Sequence, residues 1–241
     1  MKKFISFIFN LIFPPRCFIC GKVVSGKSGL CMTCYRKIHF LTNQCCPVCG
    51  RPYTFPVENE KELICAKCLN KKPPLNRMKA VFAYDDFSKK LILPFKHSDR
   101  TDIVPFLIDL MIQSAEDYIR QADVIIPVPL HRTRLIKRKY NQAAMIAKGI
   151  AKRCHKTYLP DVLIRVKPSS SNKHLSKKDR LENVKEAFAL KNKNHLTGKR
   201  VLLIDDVYTT GATLNECAKT LKKTNAKDIS ALTLARVCWF E

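Results

Sequence analysis

Acidic residues and glycine are scarce in this 241-residue chain: 20 Asp and Glu face 44 Lys and Arg, giving a net charge of +24, and Gly occurs only 7 times. Other patterns are missing altogether. No eighteen apolar residues run together, which excludes a membrane-spanning helix. No G-x-x-x-x-G-K-[ST] and no G-x-G-x-x-G occurs, so the Walker A loop and the dinucleotide fingerprint are both absent. Lys2, Lys3 and the apolar stretch Phe4 to Phe13 imitate the start of a secretory signal, but no small-residue cleavage site follows, and Pro14-Pro15 leads directly into Cys17. That stretch reads as a short helix packed on the protein; peripheral contact at the inner face of a membrane is the second reading. What is present suffices for one ordinary domain and a small module, because 46% of the residues are hydrophobic.

The charge is unevenly placed. Residues 1–75 carry +9, 76–131 carry −1, 132–200 carry +16 and 201–241 carry 0. A concentration of this kind attracts a polyanion such as nucleic acid, or a small phosphorylated ligand. Compositional drift toward lysine is the other reading, and it leaves the neutral flanks unexplained.

Eight of the 12 cysteines form C-x-x-C pairs before Asn70. Cys17/Cys20 and Cys31/Cys34 make one set, Cys46/Cys49 and Cys65/Cys68 a second. Each C-x-x-C turn aims two thiolates at one point, and four thiolates complete a tetrahedral zinc site with no open position, so the metal is structural. Pairing in sequence order or crossed uses the same ligands, and Cys45 stands ready to replace Cys46. This usage indicates a reducing compartment, the cytoplasm. Cys154, Cys217 and Cys238 read as small buried hydrophobes.

Beyond Pro73-Pro74, strands are expected at Lys79 to Tyr84, Val124 to Val128, Val162 to Val166, Val201 to Ile204 and Ser230 to Ala235. Helices are expected at Asp102 to Gln121, Asn141 to Arg153 and Thr213 to Lys223. Apolar strands alternating with helices imply an α/β fold, a mostly parallel sheet with helices on both faces, which binds ligands beyond the carboxyl ends of its strands.

Val201 to Thr213 carries most of the chemistry. A buried strand delivers Asp205 and Asp206 together at its carboxyl edge, where two carboxylates need hydroxyls, a cation or water. Thr209, Thr210, Gly211, Ala212 and Thr213 turn into a helix whose N–H groups and dipole suit a phosphate. Carboxylates beside a phosphate cradle fit a ribose 5-phosphate.

This segment resembles the phosphoribosyl-pyrophosphate loop of type I phosphoribosyltransferases. Together with the cysteine module, Ile126-Pro-Val-Pro-Leu-His131, Arg138-Lys-Tyr-Asn-Gln142 and Arg180-Leu-Glu-Asn-Val-Lys-Glu-Ala-Phe188, it is similar to the ComF family of competence proteins over nearly the whole chain. The resemblance implies two domains, an N-terminal helix with a double zinc ribbon at 1–72 and a phosphoribosyltransferase-like domain at 73–241. It further implies that Asp205 and Asp206 contact ribose hydroxyls, that 209–213 hold the 5-phosphate, and that Pro127, Val128 and Pro129 lie beside a pyrophosphate bridged by Mg²⁺. Asp205, Asp206 and Arg138 are then the catalytic set, and the loop from Arg165 through Arg180 a mobile flap. The family commonly has Arg-Gly-Phe-Asn-Gln where Lys139 and Tyr140 stand here, and a glutamine at Asn172.

Three functions follow as expectations. The first is handling of incoming single-stranded DNA in natural transformation, with a phosphorylated sugar bound at the loop and competence helicase or recombination proteins as partners. Phe18, Tyr35, Tyr53 and Phe55 then either stack bases or form local core. The second is an active phosphoribosyltransferase acting on a nucleobase or amine; the third is an interaction scaffold. Glutamine-dependent amidotransfer resembles a family with a nucleophilic cysteine at the mature N-terminus and is not expected of a chain opening Met1-Lys2-Lys3.

Overall fold

The structure is a computed structural model that describes residues 13–25, 29–42, 44–56, 63–97, 100–168, 179, 182–191 and 196–238. The expected N-terminal helix and most of the expected flap lie outside these residues.

The main sheet holds five strands: β1 (Arg77–Ala83), β2 (Val124–Pro127), β3 (Thr157–Tyr158), β6 (Arg200–Tyr208) and β7 (Asp228–Arg236). Their order across the sheet is β1-β7-β6-β2-β3, and every pairing is parallel. Parallel neighbours need crossovers, which the helices supply. The helices are α3 (Lys89–His97), α4 (Val104–Ser114), α5 (Glu116–Gln121), α6 (Arg132–Arg138), α7 (Gln142–Arg153) and α8 (Ala212–Lys222). Within the cysteine module lie the short helices α1 (Met32–Tyr35) and α2 (Ala66–Asn70).

The period of two in each strand divides the core. Ile125, Leu202, Ile204, Leu232 and Leu234 face α3, α4, α5 and α7. Val124, Ile126, Val201, Leu203, Ile229 and Ala231 face α8. Both faces are covered, which is why β6 reads as an unbroken apolar run.

Three expected elements differ. The helix expected over 102–121 is a 3₁₀ turn (Thr101–Ile103) followed by α4 and α5, broken at Ala115, whose backbone at φ −133° and ψ 37° leaves the helical region. No proline or glycine marks that break, and Ala115 is fully buried there. The strand at 162–166 is β4 (Leu163–Arg165), which leaves the parallel sheet and pairs antiparallel with β5 (Phe188–Leu190). Its outer residues Ile164 and Val166 are exposed, as befits a ribbon with one covered face. β6 runs four residues beyond Ile204, because β7 continues pairing alongside it up to Tyr208 opposite Arg236.

The cysteine module docks on the edge strand β1. Leu41 N–H donates to the Val81 carbonyl, Ala83 N–H to His39 and Met78 N–H to Pro47. These bonds cover part of an edge that would otherwise be open to pairing. Phe18 packs at a tilt against Phe106 of α4, ring centroids 5.7 Å apart, and Phe40 meets Phe82 edge-on at 6.5 Å.

Candidate functional site

Because β6 continues to Tyr208, Asp205 and Asp206 are strand residues, and a strand sends successive side chains to opposite faces. The expected common emergence is therefore corrected: Asp205 feels Cys217 and Arg165, while Asp206 ion-pairs with Lys96, Nζ to Oδ2 3.0 Å. The acids stay linked through Asp206 N–H, which donates to Asp205 Oδ1 at 2.8 Å. Burial, then the neighbouring Asp206, raises Asp205 to about 7, against the pull of Lys96 and Arg138.

Gly211 closes the loop after β6 at φ +82°, and a Cβ there would overlap the Tyr208 hydroxyl, so this position requires glycine twice over. Thr210 Oγ1 accepts from Ala212 N–H at 3.3 Å as α8 begins. Thr209 is exposed, Thr210 and Thr213 half-buried, and Ala212 buried. The loop thus offers hydroxyls and a helix N-terminus to one side of the acidic pair.

β2 ends at Pro127, and Val128 and Pro129 follow it alongside β6, just before the acidic pair. Val128 N–H donates to the Ile204 carbonyl at 2.9 Å, and Asn141 Nδ2 donates to the Val128 carbonyl at 3.0 Å. Asn141 also caps α7, its Oδ1 accepting from Ala144 N–H.

The rest of the Arg138 to Gln142 motif proves to be a clasp. Tyr140 donates its hydroxyl to the Phe95 carbonyl at 2.9 Å. Buried Gln142 donates Nε2 to the carbonyls of Phe95 (3.3 Å) and Lys96 (3.5 Å) and accepts from Arg138 at 3.3 Å. Lys139 caps the C-terminus of α6 at φ +64°. That left-handed conformation is one glycine adopts without a Cβ penalty.

Arginines complete the setting. Arg134 and Arg138 stand one turn apart on α6. Burial, with Arg138 beside it, holds Arg134 below the usual guanidinium range, and burial with Arg134 does the same to Arg165. The site is thus an acid pair ringed by basic groups at the carboxyl ends of the strands. Lys96 and Arg134 escape notice in the sequence: α3 carries no recognised motif, and Arg134 falls between the Ile126–His131 and Arg138–Gln142 motifs. The structure describes Arg165 but not Arg180.

The cysteines gather in sequence order. The thiols of Cys17, Cys20, Cys31 and Cys34 lie within 4.8 Å of one another, and so do those of Cys46, Cys49, Cys65 and Cys68. Cys46 belongs to the second set and Cys45 does not. The Cys49 thiol, followed by backbone N–H groups, pulls Cys46 down to about 4, whereas burial pushes Cys45 up to about 11. Two closed sets of four soft donors fit structural zinc. Of the aromatic candidates, Phe18 packs into the core, Tyr53 and Phe55 face each other at 5.9 Å, and Tyr35 and Phe55 are exposed. Cys217 is buried, Cys154 and Cys238 half-buried. A separate cleft of about 720 Å³ opens between the second cysteine set and the α4–α5 break, away from the acid pair. Among the described residues no helix is long and apolar enough to cross a membrane.

Known proteins share both halves. Residues 8–76 match the double zinc ribbon domain and residues 138–237 the phosphoribosyl transferase domain. The chain is 33% identical to competence protein F of Haemophilus influenzae, over 92% of this chain and 96% of that protein. It is 28% identical to the DNA utilization protein YhgH of Escherichia coli K12 (94% and 99% covered) and 30% identical to competence protein ComFC of Bacillus subtilis (86% and 84%). A double ribbon joined to a phosphoribosyltransferase-type parallel sheet, with this identity over most of its length, places the chain in the ComF family of competence proteins.

Proposed function

We propose that the protein binds phosphoribosyl pyrophosphate, or a related phosphorylated sugar, and serves in the handling of incoming single-stranded DNA during natural transformation. The observation that supports the sugar site is the juxtaposition of Asp205 and Asp206 with the Thr209–Thr213 helix mouth on one side and Lys96, Arg134, Arg138 and Arg165 around them. Carboxylates accept the ribose hydroxyls; the loop and helix dipole take the 5-phosphate. The arginines face the diphosphate, and its magnesium supplies further charge neutralisation when bound. DNA handling rests on the relatives, named as competence and DNA utilization proteins, and on the +16 stretch at 132–200. We place the working boundary of the two units at residues 72 and 73.

The same arginines favour a second reading, transfer of ribose 5-phosphate to a nucleobase or amine. Arg134, Arg138 and Arg165 are positioned to take up the charge of departing pyrophosphate while the acid pair steadies an oxocarbenium-like ribose. Thermal stabilisation by magnesium phosphoribosyl pyrophosphate, compared with single-stranded DNA, separates the parts of this reading. Asp205→Asn with Asp206→Asn is expected to abolish the response to the sugar and spare the response to DNA. Charge reversal within 132–200 is expected to flatten the salt dependence of DNA binding. Release of pyrophosphate with an added acceptor identifies turnover.

A further inference from the structure

Lys96 reaches the acid pair from the last turn of α3, and the contact is built rather than casual. Its Nζ lies 3.0 Å from Asp206 Oδ2, with the two side chains only 16% and 14% exposed. An exposed lysine pair contributes little and wanders. This one is anchored from behind, because Gln142 Nε2 holds the carbonyls of Phe95 and Lys96 while Tyr140 holds Phe95. Gln142 itself is 1% exposed, so the end of the helix that carries the lysine is tied to the core.

The chemistry of that position is specific. Two adjacent, half-buried carboxylates require countercharge, and a divalent cation is the common source. Magnesium demands octahedral oxygen ligands at about 2.0–2.1 Å and sheds water reluctantly. An ammonium already seated on Asp206 supplies one positive charge. It leaves lone pairs on Asp206 free to accept from a sugar hydroxyl.

We propose that Lys96 is a specificity-determining residue that stands in for a divalent cation at the acid pair, so that the site accepts a phosphorylated ribose lacking the diphosphate without any metal. Magnesium is then needed only by the diphosphate of the larger ligand. This rests on the reading of the pocket given above.

The test is titration of wild-type protein with ribose 5-phosphate and with phosphoribosyl pyrophosphate, each in magnesium and in EDTA. Ribose 5-phosphate is expected to bind equally in both media, and phosphoribosyl pyrophosphate to weaken in EDTA. Lys96→Met is expected to lose about tenfold or more in affinity for ribose 5-phosphate in EDTA and to regain most of it in magnesium. Lys96→Arg, which restores the charge, should keep metal-independent binding. If Lys96→Met folds poorly, Lys96→Arg and the wild type carry the test. Wild type that binds ribose 5-phosphate only with magnesium overturns the role of the lysine and leaves the pocket standing. So does Lys96→Met that matches wild type in EDTA. Wild type that binds neither compound overturns the pocket and the proposal together.

Discussion

The Arg236 guanidinium, buried at the end of β7, donates through one nitrogen to the Cys49 carbonyl of the second cysteine set and lies 4.6 Å over the Tyr208 ring. Tyr208 in turn stands under Gly211. A cysteine knuckle and the loop at 209–213 are therefore connected through one cation, whose Nε has no hydrogen-bond partner among the described residues. Arg236→Met removes the charge, the Cys49 contact and the face of the ring. It is expected to cost about 2–4 kcal/mol, read by denaturant unfolding. It is also expected to hasten zinc release to a chelator from one of two sites. Metal analysis should return about two zinc per chain before treatment.

Gly211→Ala meets both a left-handed backbone and the Tyr208 hydroxyl. Either the loop shifts or the tyrosine does. Stability should fall by about 1–3 kcal/mol, and thermal stabilisation by phosphoribosyl pyrophosphate should disappear. Ala218→Gly, on the buried face of α8, serves as the control: it costs about 0.5–1 kcal/mol in helix propensity and retains the ligand response.

Asp205 gives the protein a pH dependence of definite sign. Its folded value of about 7 exceeds the ordinary 3.8, so between those values the folded state keeps a proton that the unfolded chain releases. This group therefore lowers stability progressively as pH rises from about 4 to about 7, and its full penalty stands above 7. Lys96, Arg138, Arg165, Cys217 and Asp206 are the charged and titratable groups around it. Asp205→Asn keeps an acceptor for Asp206 N–H and removes the slope. Above pH 7 the variant should exceed wild type by about 1–3 kcal/mol, after discounting for partial solvent access, and the two should converge below pH 4. Urea unfolding across that range measures it.

What could be read ahead of the structure was whatever depends on local pattern. The C-x-x-C spacing defines both metal sets because two residues between thiols make the turn, whatever the surrounding fold. The buried run Val201 to Ile204 and the Asp-Asp, Thr-Thr-Gly sequence locate β6 and the loop for the same reason. Lys96 was illegible: its meaning comes from a contact 110 residues away in sequence, with Asp206, and Pro94 makes its helix look broken. The divergence of the acid pair was hidden too, since only pairing with β7 carries β6 past Ile204. Asn141 and Gln142 were visible as a motif, but their hydrogen bonds are to Val128, Phe95 and Lys96, partners that no spacing rule names.

Lys139 supplies the sharpest test of how the motif works. It holds φ +64° at the end of α6, a conformation that costs a residue with a Cβ about 1 kcal/mol and costs glycine almost nothing. If the family's glycine there answers the helix cap, Lys139→Gly should raise stability by about 0.5–1 kcal/mol and leave affinity for ribose 5-phosphate unchanged. If instead glycine is needed for a backbone to approach the ligand, the same substitution should tighten binding severalfold with little change in stability. Paired unfolding and binding titrations of this variant separate the two. The clasp geometry, in which Tyr140 and Gln142 hold the Phe95 and Lys96 carbonyls of α3, favours the first outcome.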